Sequence, residues 1–442
     1  MKNAILKAIL VLLLCGWQPT LLPADAGADA ESGPGAEPGS AVETPAAEPQ
    51  FLQLSGQARL KMVTIFPGEA LYSMFGHTAI RIEDPLHEID LLYNYGQSSV
   101  PFDASFVPRF VTGNLPFMLG VVQSARAYDF YRNYENRTIY EQDLLLNREE
   151  RQKVFEYLEV NARPENRIYI YDFFHDNCTT RVRDLFWDIF GEEINFQLAE
   201  RPAQPYRRAI RPYLSEKPFV KFGINLMLGS PTDGVPGRER RLYLPGQLMR
   251  AVAAAELNGR PLMGSERIVH EGRNGTTILP EDLSPLRPAL AGLLLWGILL
   301  IVALLSIRRA RNASRSSMGL RVLDAGLFAA AGAVGMASLL LWNYSGYVMT
   351  TANWHLLWAW PSHLIIAFLL LMKQRPPALR WYAACGGAAA LVSLVLIPLA
   401  GQSLPGPVVP LLLLLGLRGL TVSGLLNPRL PGRCTARRTD SS

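Results

Sequence analysis

The C-terminal third of the chain most constrains the fold. Five apolar runs, roughly 289–307, 321–342, 354–372, 381–400 and 408–426, are separated by short polar stretches. Each is near the ~20 residues that a helix needs to cross a bilayer. The loops between them alternate in charge. "SIRRARNASR", "KQRPPALR" and "PGRCTARR" follow the first, third and fifth runs, whereas "NYSGYVMTTAN" and "GQSLPGP" carry no Lys or Arg. Basic loops stay cytoplasmic, so the segment before Pro288 is expected to face outward.

The N-terminus supports the same orientation independently. Lys2 and Lys7 precede an apolar run ending near Leu14, and "ADA" at Ala24 to Ala26 suits signal-peptidase cleavage. This predicts an export signal over 1–26. A lipoprotein reading of Cys15 meets the bulky Leu14, and an uncleaved anchor is the other alternative. From 27 to 50 the chain is Ala, Pro, Gly and Glu, which cannot bury a core and reads as a disordered tether. The expected organisation is then an exported domain over 51–285, a five-span membrane domain over 286–428 and a cytoplasmic tail over 429–442. The net charge of +5 is spread without a basic stripe, so nucleic acid is not an expected partner.

Of four cysteines, Cys15 lies in the signal, Cys385 in the fourth run and Cys434 in the tail. Cys178 stands alone in the exported part, where cysteines normally come in pairs. A leftover exported cysteine is a candidate reactive thiol, set against a buried small hydrophobe. Its surroundings favour chemistry. In "FFHDNCTTRVRDLFWDIFG", Val182, Leu185, Phe186, Ile189 and Phe190 form one helical face. Asp176 or Asn177 suits the N-cap and Gly191 the C-terminal stop. Cys178 therefore falls in the first helical turn, where the dipole and unpaired N–H groups favour a thiolate. N–H groups near Asn177 and Thr179 could hold an oxyanion. Upstream, "RIYIYDFF" alternates as a strand.

A thiol nucleophile needs a base. His270 in "RIVHEGRNGTTIL" reads as a structural hairpin residue, His87 in "EDPLHE" as a solvated turn residue, and His175 as too close in sequence to aim well at Cys178. His77 opens a strand whose His77, Ala79 and Arg81 share one face. A hairpin centred between Pro85 and Leu86 sets Asn94 opposite His77 and Asp90 opposite Arg81. Asn94 would then orient the imidazole as the third member of a Cys-His-Asn set, with Asp90 as the alternative orienter and as Arg81's ion-pair partner. No ligand spacing for a metal, no G-x-S-x-G elbow and no phosphate loop is present, and no cofactor is expected. The remaining segments predict an α+β domain: a short helix and strand in "FDASFVPRFVTGNLPFMLGVVQ", a strand in "ENRTIYEQDLLL", a helix in "NREERQKVFEYLEVNA", and amphipathic segments near 204–214, 219–228 and 244–258. Tyr128, Tyr131 and Tyr134 read as core or cleft wall.

"MFGHTAIRI", "LYNYG", "HDNCTTRVRD", "KFGINLMLGSPTD" and "YLPGQLM", followed by five apolar runs, resemble the Lnb-type bacterial membrane proteins. That resemblance implies a lipoprotein N-acyltransferase at the outer face of the inner membrane, with Cys178 as nucleophile and His77 as base. The His-before-Cys order also resembles permuted papain-like enzymes that move acyl chains through a thioester. The implied partners are a phospholipid acyl donor, a lipid-modified lipoprotein N-terminus as acceptor, and the membrane. Trp360 precedes Pro361 where the family tends to have Asn. Trp354, Trp358 and Trp360 read as an aromatic belt; Trp354, His355 and Arg418 are candidate lipid contacts, with Arg418 an intramembrane charge and His363 interfacial. A membrane-anchored cysteine peptidase or cell-wall amidase, and an inert sensor or scaffold, are the alternative functions.

Overall fold

The computed structural model describes residues 51–99, 106–198, 203–272, 296–303, 305, 318–372 and 374–426. The expected signal and tether, most of the first apolar run and the tail lie outside these residues. An antiparallel sheet of seven strands organises the first part, in the order β10-β5-β1-β2-β3-β4-β6. The strands are β1 (Arg59–Ile65), β2 (His77–Asp84), β3 (Ile89–Ser98), β4 (Pro116–Gln123), β5 (Ile139–Leu144), β6 (Ile168–Ile170) and β10 (Met263–His270). A small second sheet joins β7 (Ile194–Asn195), β8 (Glu256–Leu257) and β9 (Arg260–Pro261).

The side-chain alternation of the strands decides what covers each face. Leu60, Met62, Ile80 and Ile82 point to one side and pack under helices Arg148–Ala162, Cys178–Phe190 and Pro245–Ala253, which contribute Val154, Leu158, Val182, Leu185, Phe186 and Leu248. Val63, Ile65, Ala79 and Leu92 point to the other, under Tyr128 and Tyr131. Those two tyrosines share the short helix Ser124–Asp129 and the wide turn that follows it, while Tyr134 is exposed. Charges on the second face form a network: Lys61 with Glu83 (2.6 Å), and Arg81 with Asp90 (2.8 Å) and Glu141 (2.6 Å).

The β2–β3 hairpin departs from the expected centre. Glu83 faces Asp90 and Ile80 faces Tyr93, a shift of two residues. Asp84 is the cause. Its side chain accepts from Leu86 N–H at 3.2 Å and pairs with His87 at 2.8 Å, which builds a turn over Pro85–His87 closed by Glu88 in the left-handed region. His87 is exposed, as expected, and its Nδ1 also hydrogen-bonds buried Asp84. A shift of two preserves side-chain parity, so His77, Arg81, Asp90 and Asn94 keep a common face. His270 lies in β10, which pairs with β5; the rest of the expected hairpin, 273–279, lies outside the described residues.

The second part is helical and apolar. Helices Met318–Tyr344 and Ala378–Leu399 are long enough to cross a membrane, and Val408–Ser423 is a shorter apolar helix. Residues 296–303 of the first run are helical too. The third run does not form one span. It begins with a tight turn over Trp354–Leu357, passes Pro361 as coil, and only then forms a helix, His363–Leu371. Nine residues rise about 14 Å, roughly half of the ~30 Å core. The coil buries its polar backbone in protein, as irregular chain at that depth must. Trp360 Nε1 donates to Leu357 O, and His363 Nε2 meets Trp358 O at 3.0 Å. Helix Met318–Tyr344 accommodates it at Gly335, where a Cβ would lie 1.8 Å from Ala359 O.

The α+β part docks on the two loops that lack Lys and Arg. Gly229 N–H donates to Met349 O (2.9 Å), Ser230 N–H to Ala352 O (3.2 Å), and Gly346 N–H to Thr112 O (3.1 Å). Buried Asn353 donates to Leu226 O (2.8 Å), and Gln402 donates to Leu228 O (3.4 Å). Arg207, buried under the same joint, donates to Leu228 O and Gly229 O and pairs with Asp233 at 3.0 Å. Both Lys/Arg-free loops therefore lie on the side of the α+β domain, as the charge alternation requires.

Candidate active site

The candidate nucleophile, Cys178, is set by the chain just before its helix. Asp172 and Asp176 exchange two backbone hydrogen bonds of 2.9 Å, and Asp172 Oδ1 accepts from Phe174 and His175 N–H. This closes a tight turn after β6. Asn177, not Asp176, is the N-cap: its Oδ1 accepts from Thr179 N–H (2.7 Å) and Thr180 N–H (2.9 Å), and Thr180 Oγ1 returns a bond to Asn177 N–H. Asn177 Nδ2 donates to Phe173 O and Tyr243 O, so the cap is pinned on every side. Asp176 instead grips Arg181, at 2.5 Å. Cys178 is left half-buried as the first helical residue, and it is a free thiol.

β2 brings the base. His77 follows Gly76, whose φ of +85° turns the chain into the strand. The imidazole lies beside Cys178: a Cβ on Gly96 would sit 3.6 Å from His77 Cε1 and 3.5 Å from Cys178 Cβ, and each residue shifts the ionisation of the other. His77 Nε2 bonds Asn94 Oδ1 at 2.5 Å, which leaves Nδ1 as the nitrogen for the sulfur. Asn94 reaches His77 diagonally, two positions from direct opposition, because of the shifted register. Asn94 Nδ2 in turn donates to Tyr131 Oη at 3.4 Å, which fixes the amide with its oxygen toward the histidine. Asp90 is not the orienter. Both its oxygens are held by Arg81, at 2.8 and 2.9 Å. His175 is likewise engaged elsewhere, with Nδ1 3.3 Å from Asp172 and its ring edge-on to Tyr206.

The electrostatics follow from this packing. Burial opposes ionisation of Cys178, but the His77 charge and hydrogen bond, the Thr78 backbone N–H and the Thr179 hydroxyl outweigh it and bring the thiol down to about 7. Burial likewise works against a charged His77, yet the Cys178 charge and the bonds from Cys178 and Asn94 raise it above its ordinary value. The two shifts favour a thiolate–imidazolium pair near neutral pH. Thr179 does not offer its N–H to a substrate oxygen, because Asn177 takes it. Its Oγ1 lies 3.9 Å from Cys178 Sγ and 3.2 Å from Thr78 Oγ1. Gly96, in an irregular stretch of β3, completes the floor: with φ +92° and no side chain, it leaves space beside both Cys178 and His77. Thr78 and Gly96 are contributors that sequence patterning did not single out, and Tyr131, read only as core or cleft wall, holds the Asn94 amide. Only the tertiary approach of β2 and β3 to the helix start reveals them.

The candidate lipid contacts in the membrane part fare differently. Arg418 forms a bidentate pair with Asp324 (2.7 and 3.0 Å), both 3% exposed, between helices Val408–Ser423 and Met318–Tyr344. Its charge is spent on a buried partner rather than a headgroup. His355 is fully buried and accepts from Trp358 Nε1 at 3.2 Å. Trp358 is fully buried, and Trp354 packs against the same apolar cluster, so this stretch is not an aromatic belt facing lipid. Buried His363 is linked through Tyr382 Oη (2.8 Å) to exposed Ser362 (2.6 Å).

No curated protein and no solved structure matches the chain. Two family models do. Residues 49–211 match the Lnb N-terminal periplasmic domain and residues 280–427 match the Lnb transmembrane domain. The first spans β1 to β6 with Cys178, His77 and Asn94, and the second spans every apolar helix described above. The chain is a membrane protein with a periplasmic α+β domain, and it belongs to the Lnb family.

Proposed function

We propose that this protein is a thiol acyltransferase that moves a fatty acyl chain from a phospholipid, through a Cys178 thioester, to the N-terminal amine of a lipid-modified lipoprotein. The observation that carries the reading is the Cys178–His77–Asn94 set in a domain that docks on the outward loops of a membrane domain. His77 Nδ1 takes the Cys178 proton. The thiolate adds to the ester carbonyl, and a C–S bond forms. The C–O bond then breaks, and His77 returns the proton to the departing lysolipid hydroxyl. In the second half the acceptor amine attacks the thioester and gives a proton to His77; the C–N bond forms as the C–S bond breaks, and the proton passes to the departing Cys178 thiolate. Splitting the transfer into two acyl exchanges lowers each barrier. Holding the thiol beside the bilayer raises the effective concentration of two lipid-borne substrates. The α+β part also supports a permuted papain-like arrangement, since the His-bearing strand precedes the Cys helix in the chain and the nucleophile opens a helix packed on an antiparallel sheet.

The test is acyl capture. Membranes with wild-type protein, Cys178→Ala or His77→Ala are incubated with a phospholipid bearing a clickable acyl chain. Hydroxylamine-sensitive label is expected on wild type, none on Cys178→Ala and little on His77→Ala. Label that chases onto a diacylated lipopeptide supports the transferase; label indifferent to Cys178 refutes the thioester.

One observation favours a second reading, amide cleavage by the same thiol. A polar cavity lined by Glu69, Tyr72, Ser73, Glu135 and Arg137 adjoins the Tyr131 side of the site, with Arg137 5.6 Å from the Tyr131 ring. Such a groove suits a peptide. Release of a fluorogenic peptide amine without label transfer would select that reading.

A further inference from the structure

When a thiolate adds to a carbonyl, the oxygen becomes an anion, and each preorganised donor aimed at it is worth about 10²–10³ in rate. The turn that carries Cys178 is short of such donors. The N–H groups of Thr179 and Thr180 go to Asn177 Oδ1, and that of Arg181 goes to Asn177 O at 3.0 Å. Helix geometry leaves Cys178's own N–H as the one without an intrahelical acceptor. A second donor has to come from outside the turn.

Tyr169, on edge strand β6, is placed to be that donor. The residue is 7% exposed, and its hydroxyl is buried without a hydrogen-bond partner. Leaving a buried polar group unpaired is costly, so an unpaired hydroxyl beside a nucleophile calls for a ligand. A Cβ placed on Gly96 would lie 3.5 Å from Cys178 Cβ, 3.6 Å from His77 Cε1 and 3.8 Å from Tyr169 Oη. Nucleophile, base and phenol therefore converge on one small space that the glycine keeps open. The ring is held from two sides. Tyr95 meets it edge-on at 6.3 Å, and the Arg181 guanidinium, itself gripped by Asp176, lies 4.3 Å from its centre. Burial, and then the nearby Cys178 charge, raise the phenol well above its ordinary value, so it keeps its proton at neutral pH. Of the other hydroxyls near Cys178, Thr179 Oγ1 is already paired with Thr78 and Tyr131 Oη with Asn94.

We propose that Tyr169 Oη donates a hydrogen bond to the oxyanion formed when Cys178 attacks a substrate carbonyl, making Tyr169 a catalytic residue. The inference rests on the thiol-acyl reading above but not on which carbonyl compound is the natural donor. Tyr169 holds its proton throughout; the proton that moves is the thiol's, to His77 and then to the leaving group.

The test compares two reactions of Cys178 in the full chain in nanodiscs. Acylation by p-nitrophenyl octanoate passes through an oxyanion; alkylation by iodoacetamide does not. Tyr169→Phe is expected to slow acylation about 100-fold, with the alkylation rate, its pH midpoint and the melting temperature unchanged. Unchanged acylation overturns the assignment. So does a parallel fall in both reactions, which would mark Tyr169 as support for the thiol's position. If wild-type Cys178 is alkylated but never acylated, the acyl reading itself fails and takes Tyr169's role with it.

Discussion

Cys178 and His77 share a proton in a site where each raises the charged fraction of the other. The consequence is a reactivity profile. Alkylation of Cys178 should rise with pH through a midpoint near 7, because the thiolate is the form that appears as pH climbs past the lowered value. His77→Ala removes the main stabiliser of the thiolate, so the midpoint should move up toward an ordinary thiol near ~8.5, and the rate at neutral pH should fall about tenfold. Iodoacetamide kinetics across pH would check both, and a midpoint indifferent to His77 would break the pairing. At this scale the sequence was informative. A lone periplasmic cysteine at a helix start and a strand-borne histidine were both visible as patterns. Asn94 was reachable despite a wrong hairpin centre, since an error of two positions cannot move a side chain to the other face. Tyr169 was not legible, because an unpaired hydroxyl exists only once the strands have closed around it.

Secondary structure was legible where periodicity is strong, as in the Cys178 helix, and failed where hydropathy hides a break. The third apolar run scores as one span, yet it is a coil joined to a short helix; window hydropathy counts apolar atoms and is blind to where backbone bonds end. The same blindness hid Asp324, whose single charge disappears in an apolar average. Its pair with Arg418 sets a prediction for two helices. Asp324→Asn leaves a buried guanidinium without its anion and should cost about 3–5 kcal/mol. Replacing both, Asp324→Leu with Arg418→Met, should cost markedly less, since neither charge is then stranded. Thermal unfolding of the purified protein in nanodiscs, run as a double-mutant cycle, would measure the difference. Equal losses in the single and double variants would mean that the ion pair itself, not its desolvation, holds the helices.

The docking of the periplasmic domain onto the outward loops was invisible in sequence beyond its side of the membrane. It depends on contacts between segments more than a hundred residues apart, and no local pattern encodes them. The joint yields a prediction for the whole molecule. A Cβ at Gly229 would lie 1.7 Å from Thr351 O, so Gly229→Val should force the two parts away from each other there. Acylation of Cys178 by a small soluble ester should persist, while acylation from bilayer phospholipid should fall at least about tenfold as the thiol loses its fixed place beside the lipid. Equal rates from both donors would show that docking is dispensable. Much of this joint is written in main-chain atoms: Gly229 to Met349, Ser230 to Ala352, Gly346 to Thr112. Such a seam carries little side-chain vocabulary. Across descendants of this chain its residues can drift freely, and paired substitutions would leave little trace of the contact. What must persist is absence, a missing Cβ at Gly229 and at Gly113, where one would come within 2.6 Å of Gly346 N. The address of the joint is kept by two places where nothing may be added.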